Sequence, residues 1–316
     1  MLDANIADIP TALLALKQHE VLRQTASNTP SPSQRALEAI EKDRPVALAY
    51  DGSFEALLSC IYVAFAARNS IEDIALGNRM QMRLGVQVVP VETDMDAARR
   101  VQRSIIRSLG ENVWRAVILA SASDDSQKGM ALYRFLRASL TPSYTGSCKT
   151  CKQRKTCATS CSHIPPNNFL DQWDNPEVEP FLALQRQVLN EIENMRQFIR
   201  FEHVEGDLWF AQCNPSCSVV PFIMGHFGRR FNTQRFAIYD EVHHLAGISE
   251  NGHWQLIATD SIAPPPHSRE EAGMQDAWRR FYRALSIDER YNPELRRNFM
   301  PKRLWRNITE VKHETT

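Results

Sequence analysis

Four cysteines within fourteen residues, Cys148, Cys151, Cys157 and Cys161, form a C-x2-C-x5-C-x3-C run in a chain that has seven cysteines in all. Close CxxC spacing lets two thiolates reach one ion, so the run predicts a metal site. Zinc and a [4Fe–4S] cluster both suit cysteine thiolates, and both stay open, because common zinc modules separate their CxxC pairs more widely. His163 offers a substitute ligand, and Lys149, Lys152, Arg154 and Lys155 between the cysteines would offset thiolate charge or meet DNA. A structural clip is the expected role. A second constellation is His226 with Arg229 and Arg230. On a helix His226 and Arg230 share a face, which could hold a phosphate beside a general acid or base. Asp240, at the predicted turn that also carries His243 and His244, is the companion candidate for catalysis. The two adjacent histidines make a poor chelating pair, because neighbouring side chains on a strand point oppositely.

The third feature is the basic, aromatic C-terminal region. From Arg269 to Arg306 there are ten Lys/Arg and six Asp/Glu, in a chain whose 37 basic and 37 acidic residues cancel. Basic residues interleaved with rings suit a phosphate backbone, with aromatic faces left for bases. Arg229, Arg230, Arg290, Arg296, Arg297, Lys302, Arg303 and Trp305 are the candidate nucleic-acid contacts.

The elements that must position these residues follow from periodicity and punctuation. Ser268 with Glu271 has capping-box spacing for a helix in which Met274, Trp278, Phe281 and Leu285 make an apolar face. Asn292 and Pro293 start a short second helix that Pro301 ends. Phe181, Leu184, Val188, Ile192, Met195 and Ile199 form the stripe of a long helix. Glu205-Gly206-Asp207 centres a hairpin, Pro221 opens the helix that carries His226, and 235–240, 244–249 and 253–260 read as strands. Upstream, 46–50 is a strand that leads through Asp51-Gly52-Ser53 into a helix. Asp51 there is expected to be a turn and cap residue. A further strand at 86–91 precedes a basic helix at 95–109 capped by Thr93, and 113–121 and 128–140 are helical. Residues 1–24 can form an amphipathic helix, and 25–34 reads as a polar linker. The fold class is α+β: a mixed α/β region at 46–140, a Cys-rich insertion at 141–168, and a region at 169–310 running strand–strand–helix–strand–strand and then two basic helices, preceded by an extension at 1–45.

The length of 316 residues leaves ample room for a hydrophobic core, and 43% apolar with 23% charged is ordinary for a globular chain. No apolar run approaches the roughly 18 residues of a membrane span. The start, MLDANIADIP, lacks a basic signal-peptide region, so a cytoplasmic protein is expected, with Cys213 and Cys217 as thiols.

ERYNPELRRNFMPKRLW at 289–305 resembles the C-terminal signature of a bacterial family of uncharacterised DNA-metabolism proteins assigned to DNA repair. YDGSFEALLSC at 50–60, MRQFIRFEHVEGDLWFAQ at 195–212, and PFIMGHFGRRF with the following YD at 221–240 agree. The family's genes sit beside a radical-SAM protein with a helix-hairpin-helix motif, and its domain also occurs joined to uracil-DNA-glycosylase-like domains. The C-x2-C-x5-C part is similar to the cluster-binding run of some DNA glycosylases, which draw their fourth cysteine from elsewhere. The resemblance implies a DNA-repair or DNA-modification protein that grips DNA with its C-terminal helices and processes or presents an altered nucleotide. Whether it is an enzyme stays open. The alternative is a non-enzymatic adaptor that binds DNA for a radical-SAM partner.

Overall fold

The computed structural model describes residues 30–80, 83–140, 169–290 and 292–311. The metal-ligand cysteines expected at 148–161 and the helix expected at 1–24 lie outside the described residues. The chain divides into two compact units whose boundary, Gln187/Val188, falls inside a helix.

The first unit begins with α1 (Pro32–Ala39), closed by a complete capping box between Ser31 and Gln34. Helix therefore starts inside the stretch that composition alone reads as linker. Next come β1 (Val46–Tyr50), α2 (Phe54–Ala66), β2 (Ile71–Leu76) and β3 (Gln87–Pro90), with β1 central and parallel to both neighbours. Being covered on both sides, β1 is almost wholly apolar, as buried parallel strands are. Three helices complete the unit: α3 (Met95–Leu109), α4 (Glu111–Ser121) and α5 (Lys128–Leu140). Asp94, not Thr93, caps α3, accepting the Asp96 and Ala97 N–H groups at 3.1 Å each and the Ser33 N–H at 3.3 Å. Burial would raise the Asp94 carboxyl, but the Ala97 N–H and the serine donors outweigh it and hold the group below its ordinary range. Asp51 behaves as a turn residue, accepting the Ser53 N–H at 2.8 Å, while Ser53 caps α2. Helix α5 crosses β2 so closely that a Cβ on Gly129 would run into the Ile74 carbonyl oxygen.

The helix that bridges the boundary is α6 (Glu179–Phe198). The second unit takes its last turns and then β4 (Glu202–Val204), β5 (Leu208–Cys213), α7 (Val220–Arg230), β6 (Arg235–Asp240), β7 (Leu245–Glu250) and β8 (His253–Ala258). The strands lie in sequence order, antiparallel except for β5 with β6, which are parallel because α7 crosses between them. This is the strand–strand–helix–strand–strand order expected, with β8 extending it. Gly206 and Asp207 take left-handed backbone angles in the β4–β5 turn, as such a hairpin requires. On one side of the sheet Phe201 packs against Phe227, Phe231 and Phe236. On the other, Val204, Phe210, Tyr239 and Ala246 form a second apolar cluster with Ile262 packed against it.

The unit ends in α8 (Glu271–Leu285), α9 (Pro293–Phe299) and a 3-10 segment, Lys302–Asn307. Asn292 caps α9 as expected, accepting the Leu295 N–H at 2.9 Å. The capping box expected for α8 does not form, because tertiary partners claim both of its members. Ser268 Oγ meets His203 Nδ1 at 2.9 Å, and the buried Glu271 carboxylate accepts the His203 N–H at 2.9 Å and the Gln275 amide.

Gly129→Ala should destabilise the first unit by about 1–3 kcal/mol, the usual cost of overpacking. Gly273→Ala, with nothing within 4 Å of its added methyl, should instead raise stability by about 0.5–1 kcal/mol through helix propensity. Urea midpoints of the two variants check both signs.

Candidate functional site

Parallel strands place their carboxyl ends side by side, and the crevice beyond such ends is where α/β sheets most often build sites. Here Cys213 ends β5 and Asp240 ends β6, opposite one another in register. Asp240 is inaccessible to water, yet its carboxylate is fully served. One oxygen accepts the Val242 and His243 N–H groups at 3.0 and 3.1 Å, and the other contacts His243 Nδ1 at 2.6 Å. An aspartate so placed fixes the imidazole with its proton on Nδ1. His244 turns the other way and meets the Asp260 carbonyl at 3.2 Å, so the two histidines serve different neighbours.

The structure separates the histidine and aspartate that the sequence offers as partners. The charged groups facing His226 are Arg196, Arg229, Arg230 and Glu193, while the imidazole on Asp240 is that of His243. Burial first, and then Arg196 and the two α7 arginines, depress the His226 imidazole below its ordinary value of 6.5. His226 is thus a neutral imidazole near pH 7, with its ring edge-on to Phe227. A visible signal did point to His243: an Asp–x–x–His spacing across a tight turn, where the aspartate caps the turn and the histidine folds back onto it.

The setting of Cys213 disfavours its thiolate. Burial, then the negative charges of Asp240 and Glu191, push its thiol well above the ordinary range, and its S–H points to the Tyr239 carbonyl at 3.5 Å. Cys217 is buried as well.

The arginines of the tail fall into two groups. Arg303 reaches the nearly inaccessible Glu191 carboxylate at 2.5 Å and the Asn214 carbonyl at 3.3 Å, while Asn214 donates back to the Arg303 carbonyl at 2.9 Å. Glu191 also accepts the Ser216 N–H at 2.8 Å. Arg306 pairs with Glu241, and Arg200 with Glu310 at 2.9 Å. Trp305 is buried, donates its indole N–H to the Met300 carbonyl at 2.9 Å, and has the Arg296 guanidinium 4.7 Å from its ring centre. Arg303 and Trp305, two of the expected nucleic-acid contacts, therefore seal the tail onto the sheet. In the second group, Arg230, Arg290 and Lys302 are exposed and have no carboxylate partner among the described residues. Arg229 is exposed on the same turn as Arg230, and Arg297 lies 3.9 Å from Glu294, an exposed contact worth little.

Next to this locked tail, α8 and α9 present an open apolar surface. Met274, Trp278, Phe281 and Leu285, spaced by fours and threes along α8, are 66%, 42%, 54% and 65% exposed. Tyr282, Ile287, Leu295 and Phe299 are exposed as well. The Trp278 and Phe281 rings lie 5.7 Å apart, and Trp278 donates its N–H to Glu310 at 3.0 Å, which sets the orientation of the indole. Arg279, Arg280 and Arg283 flank the stripe, with Arg280 on Asp276 at 2.6 Å. Large apolar side chains left exposed along one helix face mark a candidate interaction surface.

Residues 160–310 match the domain of unknown function DUF4130. The DUF4130 match takes in the described second unit almost to its end, including the exposed face of α8 and α9 and the Asp240–His243 couple. No curated protein and no solved structure matches the chain. Among the described residues no helix is long and apolar enough to cross a membrane, and no group of three or more His, Cys, Asp or Glu is placed to hold a metal ion.

Two measurements follow from this geometry. Arg303→Ala strands Glu191 in the interior and should cost about 3 kcal/mol of stability, much of it restored by adding Glu191→Gln; chemical denaturation reads both. For His226, the unfolded imidazole takes up its proton near pH 6.5 and the folded one only at lower pH. Unfolding then binds a proton between those two values, so His226 contributes stability above pH 6.5 that is lost as the pH falls through the folded value. His226→Gln should flatten that slope, and an NMR titration of the wild-type ring should give a midpoint below 6.5.

Proposed function

We propose that the C-terminal unit binds nucleic acid through α8 and α9, and that the protein acts in DNA repair or DNA metabolism by processing or presenting an altered nucleotide. The observation that carries this reading is the exposure of Trp278, Phe281 and Tyr282 beside Arg279, Arg280 and Arg283. Rings offer stacking faces that accept any base, and guanidinium groups beside them meet the phosphates. Lys302, Arg290 and Arg230 are further phosphate contacts on this reading. The chain's zero net charge argues for a local patch rather than a uniformly basic surface. Asp240 and His243 supply an acid–base couple if the protein performs chemistry itself. The four cysteines at 148–161 hold zinc or a [4Fe–4S] cluster as a structural clip, and the protein works in the cytoplasm.

The second reading is an adaptor that binds DNA for a partner protein, such as a radical-SAM enzyme. It is favoured by the aliphatic part of the same surface, because Met274, Leu285, Ile287 and Leu295 offer nothing to a base stack.

Fluorescence anisotropy with labelled single- and double-stranded DNA and with RNA tests the binding. Affinity should fall steeply between 50 and 200 mM salt, and Trp278→Ala should weaken it by about 1–3 kcal/mol, or roughly 5- to 150-fold. No retention of any of the three at low salt removes the nucleic-acid reading. Leu285→Glu, if it abolishes capture of a partner protein while DNA binding persists, selects the adaptor. A colourless preparation free of zinc and iron by elemental analysis rules out the metal clip.

A further inference from the structure

The second unit contains a cleft of about 350 Å³ on the sheet face opposite the phenylalanine cluster. Its floor is Glu202 of β4 with Phe210 and Gln212 of β5, neighbouring residues in the antiparallel ladder. One wall is the proline run 264–266. Fixed φ angles make this run stiff, and three backbone contacts pin it beside β4. Glu205 N–H donates to the Pro266 carbonyl at 2.9 Å, Ser268 N–H donates to the His203 carbonyl at 2.9 Å, and Val204 bridges His267. Asn307 and Arg200 close the other side. The cleft is therefore built before any ligand arrives.

Its charged groups already have partners. Arg200 is held by Glu310 at 2.9 Å and by the Gln197 and Ile199 carbonyls, while Glu202 is held by His267 at 2.8 Å and approached by Gln275. Arg200 offers an anion no unpaired charge, and the Glu202 carboxylate already meets His267 and Gln275. Two carboxamide functions remain. Gln212 donates its amide to Glu241 at 2.6 Å, leaving its carbonyl oxygen as an acceptor. The Asn307 carboxamide makes no side-chain hydrogen bond to another described residue, leaving both a donor and an acceptor. A neutral, flat ligand that both donates and accepts hydrogen bonds, and whose ring lies against proline, suits this lining. The volume is at the small end of ligand pockets, about 300–1,000 Å³. From the chemistry of this lining we infer that the cleft binds a single nucleobase, read along its hydrogen-bonding edge by Asn307 and Gln212. The inference rests on the nucleic-acid reading for the source of the base; extruded bases are commonly read this way.

Free nucleosides test the cleft apart from the helical face. Saturation-transfer NMR and calorimetry on the full chain, with uridine, thymidine, cytidine, adenosine and guanosine, should find saturable binding of at least one. Asn307→Ala, whose side chain supports nothing else among the described residues, should weaken that binding about 5-fold or more, the worth of one hydrogen bond. Phe281→Ala, on the helical face, should leave it unchanged. Saturable binding of none of the five overturns the inference, as does binding that Asn307→Ala leaves intact or that inorganic phosphate displaces. If oligonucleotides bind while nucleosides do not, the cleft fails and the helical face stands; the reverse result removes the helical face alone.

Discussion

Two buried carboxylates, Glu191 and Asp240, set the arrangement of the second unit. A carboxylate withdrawn from water is tolerated only where charge and hydrogen bonds replace its hydration. Asp240 obtains its hydrogen bonds from its own turn, two N–H groups and the His243 ring, and so fixes the connection from β6 to β7. Glu191 obtains them from far along the chain: the Ser216 N–H of the loop before α7 and the Arg303 guanidinium. One acidic side chain on α6 thereby ties together the end of β5, the entry to α7 and the C-terminal segment. The tail then runs beside the sheet, with Arg306 on Glu241 and Glu310 holding Arg200 and Trp278.

This clamp divides the basic residues by role. Arginines that meet buried acids are structural, because leaving such an acid alone costs more than the pair gains. Arginines on the outer turns of α7, α8 and α9 face solvent, where ion pairs contribute little and a phosphate competes on equal terms. Counting charge along 269–306 treats both kinds alike. The exposed basic surface is smaller than the basic composition suggests, and the exposed side chains of α8 and α9 include aromatic and aliphatic groups beside the cationic ones.

The indole of Trp278 joins the locked tail to the exposed face of α8. Its N–H is held by Glu310, whose carboxyl burial would raise but which Arg200 and Trp278 together keep below the ordinary range. The ring face stays exposed while the ring's direction is set by the locked tail. A platform oriented in advance loses less entropy on binding than a freely rotating one.

The sequence alone was sufficient for whatever depends on neighbours within one turn. The apolar stripe of α6, the Gly206–Asp207 hairpin, the Asn292 cap and the strand order around α7 were all legible, because 3.6- and 2-residue periods and turn chemistry are local. β2 was not, since Ile-Glu-Asp-Ile-Ala-Leu alternates poorly and only Asp73, Ile74 and Ala75 are buried. Partners across the fold were equally hidden. Ser268 and Glu271 have the spacing of a capping box, yet His203, 65 residues upstream of Ser268, takes the serine, and its backbone takes the glutamate. His226 and Asp240 have suitable chemistry, but α7 turns the histidine toward Arg196 while a tight turn gives the aspartate to His243. Tertiary structure also made Arg303 and Trp305 interior supports and left Trp278 and Phe281 in solvent, because burial is settled by what packs against a residue and not by its type.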